Sequence, residues 1–499
     1  MISPQKHSCS TTEAHPSNTP DRGQKQLIGI LLGPVVAVLM LVLPEPTGLD
    51  PSGWRVAAVA VLMAIWWVCE ALPVAATALL PLALFPLLGI APIADVAAPY
   101  ANPLIFLFLG GFIIALAIEK WDLHRRVALL VLHAIGSRED RQIGGFMLAT
   151  ALLSMWVSNT ATTIMMLPVA LSIIPRAENG EIAPDKRGFA VALLLSIAYS
   201  ASIGGMATLI GTPPNALLAG FMSETYGVTI GFAQWMAVGV PLASVLLGLC
   251  WLLLTRLLFR IGREEHPEAA AAVRQTLREL GAVTRPEKLV ALVFIITASL
   301  WVARPLLASF YPDGALTDTG IAIGCALLLF IIPVDHKRGT FLMDWKSAEK
   351  LPWGVLLLFG GGLSLAAMVA HTGLATWLGS ALTGLTSWPV IVVILAVTGL
   401  MILLTEMASN TATTAAFLPL VGALAMTIGQ PPLLLTIPVA LAASCAFMMP
   451  VATVPNAIVF GSGHISIVQM IRAGFWLNIV GIAVIVGLVY LLVGRVFSL

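Results

Sequence analysis

Charged side chains are scarce in this chain, making up 10% of its 499 residues, where a soluble globular chain carries roughly 25%. That leaves too little polar surface to face water, so lipid is the expected solvent for most of the chain. Net charge is lacking too: 26 Lys and Arg stand against 25 Asp and Glu. Nucleic acid is thereby excluded as a partner, because phosphate binding needs a clustered cationic excess. The five cysteines, at positions 9, 69, 250, 325 and 445, have no short spacing that would make a disulfide framework or a zinc site. Cys69, Cys250, Cys325 and Cys445 read as small packing residues. His124, His133, His371 and His464 lack metal-ligand spacing, and Ser158 and Ser409 have no adjacent His or Asp to activate them. Nothing here predicts an enzyme.

What the chain has in abundance is apolar sequence. Stretches able to span a bilayer lie near 27–43, 54–70, 72–90, 103–118, 188–222, 233–257, 288–308, 319–333, 352–370, 433–464 and 473–495, about eleven in all. Two more, near 143–175 and 388–422, are interrupted midway by Ser-Asn-Thr, which suits re-entrant hairpins; irregular backbone at such depth is tolerated only against protein or a water-filled cavity. The fold class is therefore an all-α integral membrane protein. Residues 1–26 are polar, with Lys6, Arg22 and Lys25 and no small-residue cleavage site closely following an apolar stretch, so they are expected to be a disordered cytoplasmic tail. With that tail inside and each hairpin leaving by the side it entered, the basic residues sort to the cytoplasmic face, only Arg55, Arg304 and Arg495 falling outside; the positive-inside rule supports this threading. The segment 119–136, with Trp121 and the pair Arg125-Arg126, reads as an interfacial arm along the cytoplasmic face.

The chain also repeats itself. Phe108-Leu109-Gly110-Gly111 returns as Phe359-Gly360-Gly361-Gly362, Ser158-Asn159-Thr160-Ala161-Thr162-Thr163 returns identically at Ser409–Thr414, and Gly211-Thr212-Pro213-Pro214-Asn215-Ala216 is matched by Ala452-Thr453-Val454-Pro455-Asn456-Ala457. The expected division is a first repeat over 27–260, a cytoplasmic linker over 261–287 and a second repeat over 288–499. In the threading above, one hairpin opens from each side, so the repeats are inverted, the architecture of secondary transporters.

Ser and Asn at a chain reversal can simply cap the next helix. Two identical six-residue copies at matching positions favour a ligand site instead, since a cap needs only one hydroxyl or amide. The proline-bearing motifs break their helices and free carbonyls. Those carbonyls and the nearby Ser, Thr and Asn oxygens suit Na⁺, while N–H groups at half-helix starts suit a carboxylate. Neither motif contains Arg or Lys, so a bound anion needs cations carried with it; this is the physical case for symport. Glu406 is the one acidic residue beside a motif, with Met155 at the matching place in the first half. A structural or capping role leads, ahead of ion-site support and a proton relay.

At this point Ser154-Met155-Trp156-Val157-Ser158-Asn159-Thr160, Gly211–Asn215, Thr405-Glu406-Met407-Ala408-Ser409-Asn410-Thr411 and Pro450–Asn456 resemble the divalent anion/sodium symporters, over nearly all of the chain from residue 27. The resemblance implies a homodimer with a static scaffold, a mobile part holding the hairpins and elevator-type transport. It implies one Na⁺ site at Ser154, Ser158, Asn159 and the backbone of Gly211, and a second at Thr405, Asn410 and the backbones of Ala408, Ala452 and Val454. It further implies carboxylate binding by Ser158, Asn159, Thr160, Thr212, Ser409, Asn410, Thr411 and Thr453. Val454 departs from the proline that many relatives have, which alters the pocket wall. The leading expectation is Na⁺-coupled symport of a C4-dicarboxylate such as succinate, malate or fumarate across a cell (inner) membrane. A cation-independent exchanger and a tricarboxylate or sulfate carrier are the alternatives. An anion channel ranks below them, since no span is polar along a whole face.

Overall fold

A computed structural model of the chain describes residues 20–175, 182–265, 267–307, 310, 312, 315–335, 337, 339–381 and 383–497; most of the expected tail, with Cys9, lies outside them. The described chain is helical almost throughout, and its one sheet is the short antiparallel pair Pro333–Asp335 and Thr340–Phe341. Among the described residues, seven helices are long and apolar enough to cross a membrane, and six more are apolar but shorter. Four of the shorter ones follow from sequence. In the 72–90 stretch the helix breaks just ahead of Pro81, leaving Val74–Thr77 and Leu80–Leu87, and the repeated motifs bound Asn159–Ile173, Val390–Thr405 and Pro432–Ala443.

At each Ser-Asn-Thr two helices meet at a turn. Glu139–Ser154 runs to a turn at 155–158 and returns as Asn159–Ile173; Val390–Thr405 runs to a turn at 406–409 and returns as Asn410–Thr427. The expected helix breaks form as well. Arg187–Gly205 stops and the chain resumes as Pro213–Tyr226; Pro432–Ala443 stops and resumes as Val454–Phe460. Proline stands in the first turn of each new segment, Pro213 and Pro214 in one and Pro455 in the other, because a first-turn residue needs no backbone donor.

The broken helices are interlaced. Val454–Phe460 packs on Asn159–Ile173 and Arg187–Gly205, whereas Pro213–Tyr226 packs on Asn410–Thr427 and Pro432–Ala443. Each motif helix is thus completed by the other half of the chain. The Pro184–Gly205 span lies at the centre, 94% buried, while Arg285–Leu307 is 22% buried and exposes Leu292, Ile295 and Val302. Phe108 and Phe359, mates in the repeat, touch edge to face with centroids 5.2 Å apart. Beyond Phe359, Gly360 and Gly361 leave room for the Tyr100 ring and the Ala78 backbone, which a Cβ would strike.

The 119–136 segment differs in part from expectation. It forms a separate helix, Leu123–Ile135, but Arg126 turns inward and is buried. Its Nε donates to Glu287 Oε2 at 2.8 Å, and its remaining N–H groups reach Glu287 Oε1 and the carbonyls of Leu280, Gly281 and Ala282. A buried guanidinium needs such a full set of acceptors, and the chain beyond the linker helix Pro267–Glu279 supplies it. Nearby, Lys120 Nζ donates to Asp344 Oδ2 at 2.5 Å and holds that carboxyl down at about 2. Cys250, Cys325 and Cys445 are free and buried, and Cys69 is free and half-buried.

Candidate functional site

In the first hairpin the descending helix ends on Ser154, which is fully buried. Its Oγ contacts Asn159 Oδ1 across the turn and lies 2.7 Å from the carbonyl of Ala201 in the central helix. Three oxygens therefore meet around one hydroxyl proton, which serves only one acceptor at a time. The second hairpin repeats this. Thr405, also fully buried, has Oγ1 2.6 Å from Asn410 Oδ1 and 2.8 Å from the Ala443 carbonyl. Returning threonines brace both turns: Thr163 Oγ1 donates to the Asn159 carbonyl and Thr414 Oγ1 to the Asn410 carbonyl, each at 2.7 Å.

The breaks are stapled by asparagine. Asn215 Nδ2 lies within reach of the Gly205, Met206 and Thr208 carbonyls at 3.2, 3.4 and 2.8 Å. Asn456 Nδ2 donates to those of Ala446 and Met449, both at 3.0 Å. Both residues are fully buried, and the Oδ1 of each has no hydrogen-bond partner among the described residues. Gly205 closes the first cluster: a Cβ there would sit 2.9 Å from Asn159 Oδ1 and 3.0 Å from the Gly211 carbonyl. Those two oxygens thus converge on a space that only glycine leaves open.

The structure brings Ser154, Asn159 and Gly211 of the first expected cation set together. Of the second set, direct bonding joins Thr405 and Asn410. Ala408 lies in the turn before Asn410, and Ala452 and Val454 flank Thr453. Ser158 is exposed and caps its helix by accepting from Ala161 N–H at 3.2 Å; Ser409 starts the matching helix without such a bond. The proline motifs reverse this, Thr453 capping through Asn456 N–H at 3.2 Å and Thr212 making no side-chain cap. Capping is therefore real, but each half assigns it to a different motif. Thr160, Thr411 and Thr453 are half-buried, Thr212 is buried, and Val454 is 54% exposed.

Chemically, each cluster offers hydroxyl, amide and carbonyl oxygens with more lone pairs than protons. That donor set fits a hard monovalent cation such as Na⁺. Among the described residues, no group of three or more His, Cys, Asp or Glu could hold a metal ion. The helix starts at Asn159 and Asn410, with hydroxyls beside them, suit a carboxylate.

Sequence reasoning did not find Gly205, the Ala201 and Ala443 carbonyls, or the stapling role of Asn215 and Asn456. The adjacent Gly204-Gly205 pair ahead of the first proline motif was the available signal for Gly205. The carbonyls carried none, since any residue has one.

Residues 24–497 match the family model for the sodium:sulfate symporter transmembrane region. The chain is 44% identical over 480 residues to the sodium-dependent dicarboxylate transporter SdcS of Staphylococcus saprophyticus, covering 95% of this chain and 92% of that protein. It is 44% identical over 471 residues to SdcS of Staphylococcus aureus, covering 93% and 91%. Among solved structures, the YdaH transporter of Alcanivorax borkumensis superposes with a TM-score of 0.58 at 15% identity, covering 95% of this chain and 97% of that one. MtrF of Neisseria gonorrhoeae does so with 0.57 at 13%, covering 95% of each. At such identities these two structures speak to the fold alone.

Proposed function

Since the chain belongs to the sodium:sulfate symporter family, and is therefore a multi-pass membrane transporter rather than an enzyme, we propose that it carries a C4-dicarboxylate such as succinate, malate or fumarate together with Na⁺. The paired oxygen clusters carry this reading. Each presents three oxygens around one proton at a hairpin turn, and two bound cations would neutralise a divalent anion that no Arg or Lys of the motifs meets. The SdcS relatives, named for sodium-dependent dicarboxylate transport, support the same pairing of ion and substrate.

On this reading Ser154, Ser158, Asn159 and the Gly211 carbonyl hold one Na⁺. Thr405, Asn410 and the carbonyls of Ala408, Ala452 and Val454 hold the other. Ser158, Asn159, Thr160, Thr212, Ser409, Asn410, Thr411 and Thr453 bind the carboxylates between them. Residues 27–260 and 288–499 form two inverted repeats joined by the 261–287 linker. The chain works as a homodimer in a cell membrane with its N-terminus in the cytoplasm, and the hairpin-bearing part moves as an elevator.

Uptake of radiolabelled succinate into proteoliposomes tests the reading. Accumulation is expected with an inward Na⁺ gradient and not with K⁺ in its place. Asn159→Ala and Asn410→Ala should each abolish it while leaving folded protein in the membrane. Uptake that ignores Na⁺ but requires internal dicarboxylate would make the protein an exchanger, with the exposed Val454 the first position to change.

A further inference from the structure

Glu406 follows Thr405 at the end of the descending helix of the second hairpin, and it is buried. Its Oε1 accepts from the N–H groups of Phe447 and Met448 at 2.8 and 2.9 Å, and its Oε2 from those of Met448 and Met449 at 3.1 and 3.0 Å. Asn478 Nδ2, from the last helix Ile467–Val496, donates to Oε1 at 2.7 Å. One carboxylate thus grips three consecutive N–H groups in the break between Pro432–Ala443 and Val454–Phe460.

The grip orients carbonyls. The peptide between Ala446 and Phe447 is pinned at both ends, its N–H on Glu406 and its C=O on Asn456. The same carboxylate fixes the hairpin end that presents Thr405 Oγ1 to Asn410 and the Ala443 carbonyl. The first half has no such device. Met155 occupies the matching place, and the N–H groups of Met206 and Ala207 bond back to Ile203 and Gly204 at 3.2 and 3.0 Å.

We propose that Glu406 is a positioning residue for the second cation cluster, and that its clamp and its formal negative charge make that cluster the tighter of the two. This rests on the reading above that Thr405 and Asn410 hold Na⁺. A carboxylate fully engaged by N–H donors remains a fixed charge one residue from a cation ligand, and such a charge acts strongly where water is excluded. The first cluster has only neutral oxygens. The two sites are therefore unequal, and the second fills first.

The test is the thermal midpoint of the purified full-length protein in detergent, titrated with NaCl against choline chloride at constant ionic strength, because a ligand that binds the folded state raises its stability. Glu406→Gln is expected to move the Na⁺ concentration giving half-maximal stabilisation upward about fivefold or more, the scale of losing one partly screened charge. The succinate KM at saturating Na⁺ should stay within about twofold, and Glu406→Asp should recover part of the Na⁺ response. A variant with a lower melting temperature without Na⁺ but an unchanged Na⁺ midpoint would make Glu406 a structural cap only and overturn the proposal.

If Glu406→Gln does not fold, Asn478→Leu removes one bond to the carboxylate and should still raise the midpoint; no change there also overturns it. Asn410→Ala separates the two readings. If it leaves the Na⁺ midpoint unmoved, the second cluster is not a cation site and both readings fall. If it moves the midpoint while Glu406→Gln does not, only the role of Glu406 is lost.

Discussion

The site is decided by small differences at single residues. Gly205 matters for the atom it lacks, since a Cβ would stand between Asn159 Oδ1 and the Gly211 carbonyl. Gly205→Ala is expected to lower Na⁺-driven uptake by about tenfold or more, the scale of one lost strong contact at an ion, with normal membrane insertion. Proteoliposome transport and size-exclusion profiles would check both halves of that statement. At this scale the sequence was a good guide wherever two copies could be compared: Ser158, Asn159, Ser409 and Asn410 stood out because they recur. It was a poor guide to Ala201 and Ala443, which act through backbone oxygens, and to Asn478, whose partner Glu406 lies 72 residues away.

Between residues and the whole lie the helices, and two of their junctions give measurable expectations. Arg126 and Glu287 are buried partners that fasten the linker to Leu123–Ile135. Removing one partner of a buried pair leaves the other uncompensated, so Arg126→Ala should cost about 3–5 kcal/mol. Thermal unfolding in detergent would read that loss, and a double-mutant cycle with Glu287→Ala should be strongly non-additive. The Lys120–Asp344 pair joins Pro103–Lys120 to the loop after the short sheet. Asp344 has a folded pKa of about 2, below the ordinary carboxylate value near 3.9. A depressed carboxylate contributes stability that is fully present above its unfolded pKa and fades as pH falls through the folded one. The melting difference between the native protein and Asp344→Asn should therefore hold at neutral pH and shrink from about pH 4 toward pH 2. An undiminished difference at pH 2 would remove the ion pair as its cause. Helix interruptions were legible because Pro and the repeated motifs mark them. The inward turn of Arg126 was not, because a basic residue on an amphipathic helix reads alike whether it meets headgroups or a distant Glu.

At the scale of the molecule, the central fact is that each proline-led helix packs on the hairpin of the other half. Neither half can bury its motif helix alone. Residues 1–265 and 282–499 expressed separately should each fail to yield stable protein, while co-expression should restore succinate uptake. Transport by one fragment alone would contradict the interlacing. This order was only partly readable in advance. The repeat fixed what the halves share, but a sequence match says nothing of whether two copies sit side by side or threaded through one another.

The self-bonding of the oxygen clusters bears on the return journey. A carrier driven by a gradient must reset after delivering its load, crossing back with its binding groups vacant. Lone pairs left bare would resist that passage, since polar groups in hydrocarbon are costly without partners. If these clusters are the cation sites proposed above, Ser154 bonding to Asn159 and Thr405 bonding to Asn410 would let each close on itself between loads. An arriving Na⁺ would then have only to turn one hydroxyl aside. A carrier holding a single ion, with one cluster open and one closed, would have neither a full load nor a sealed interior, and it is this half-filled state that the return step would exclude.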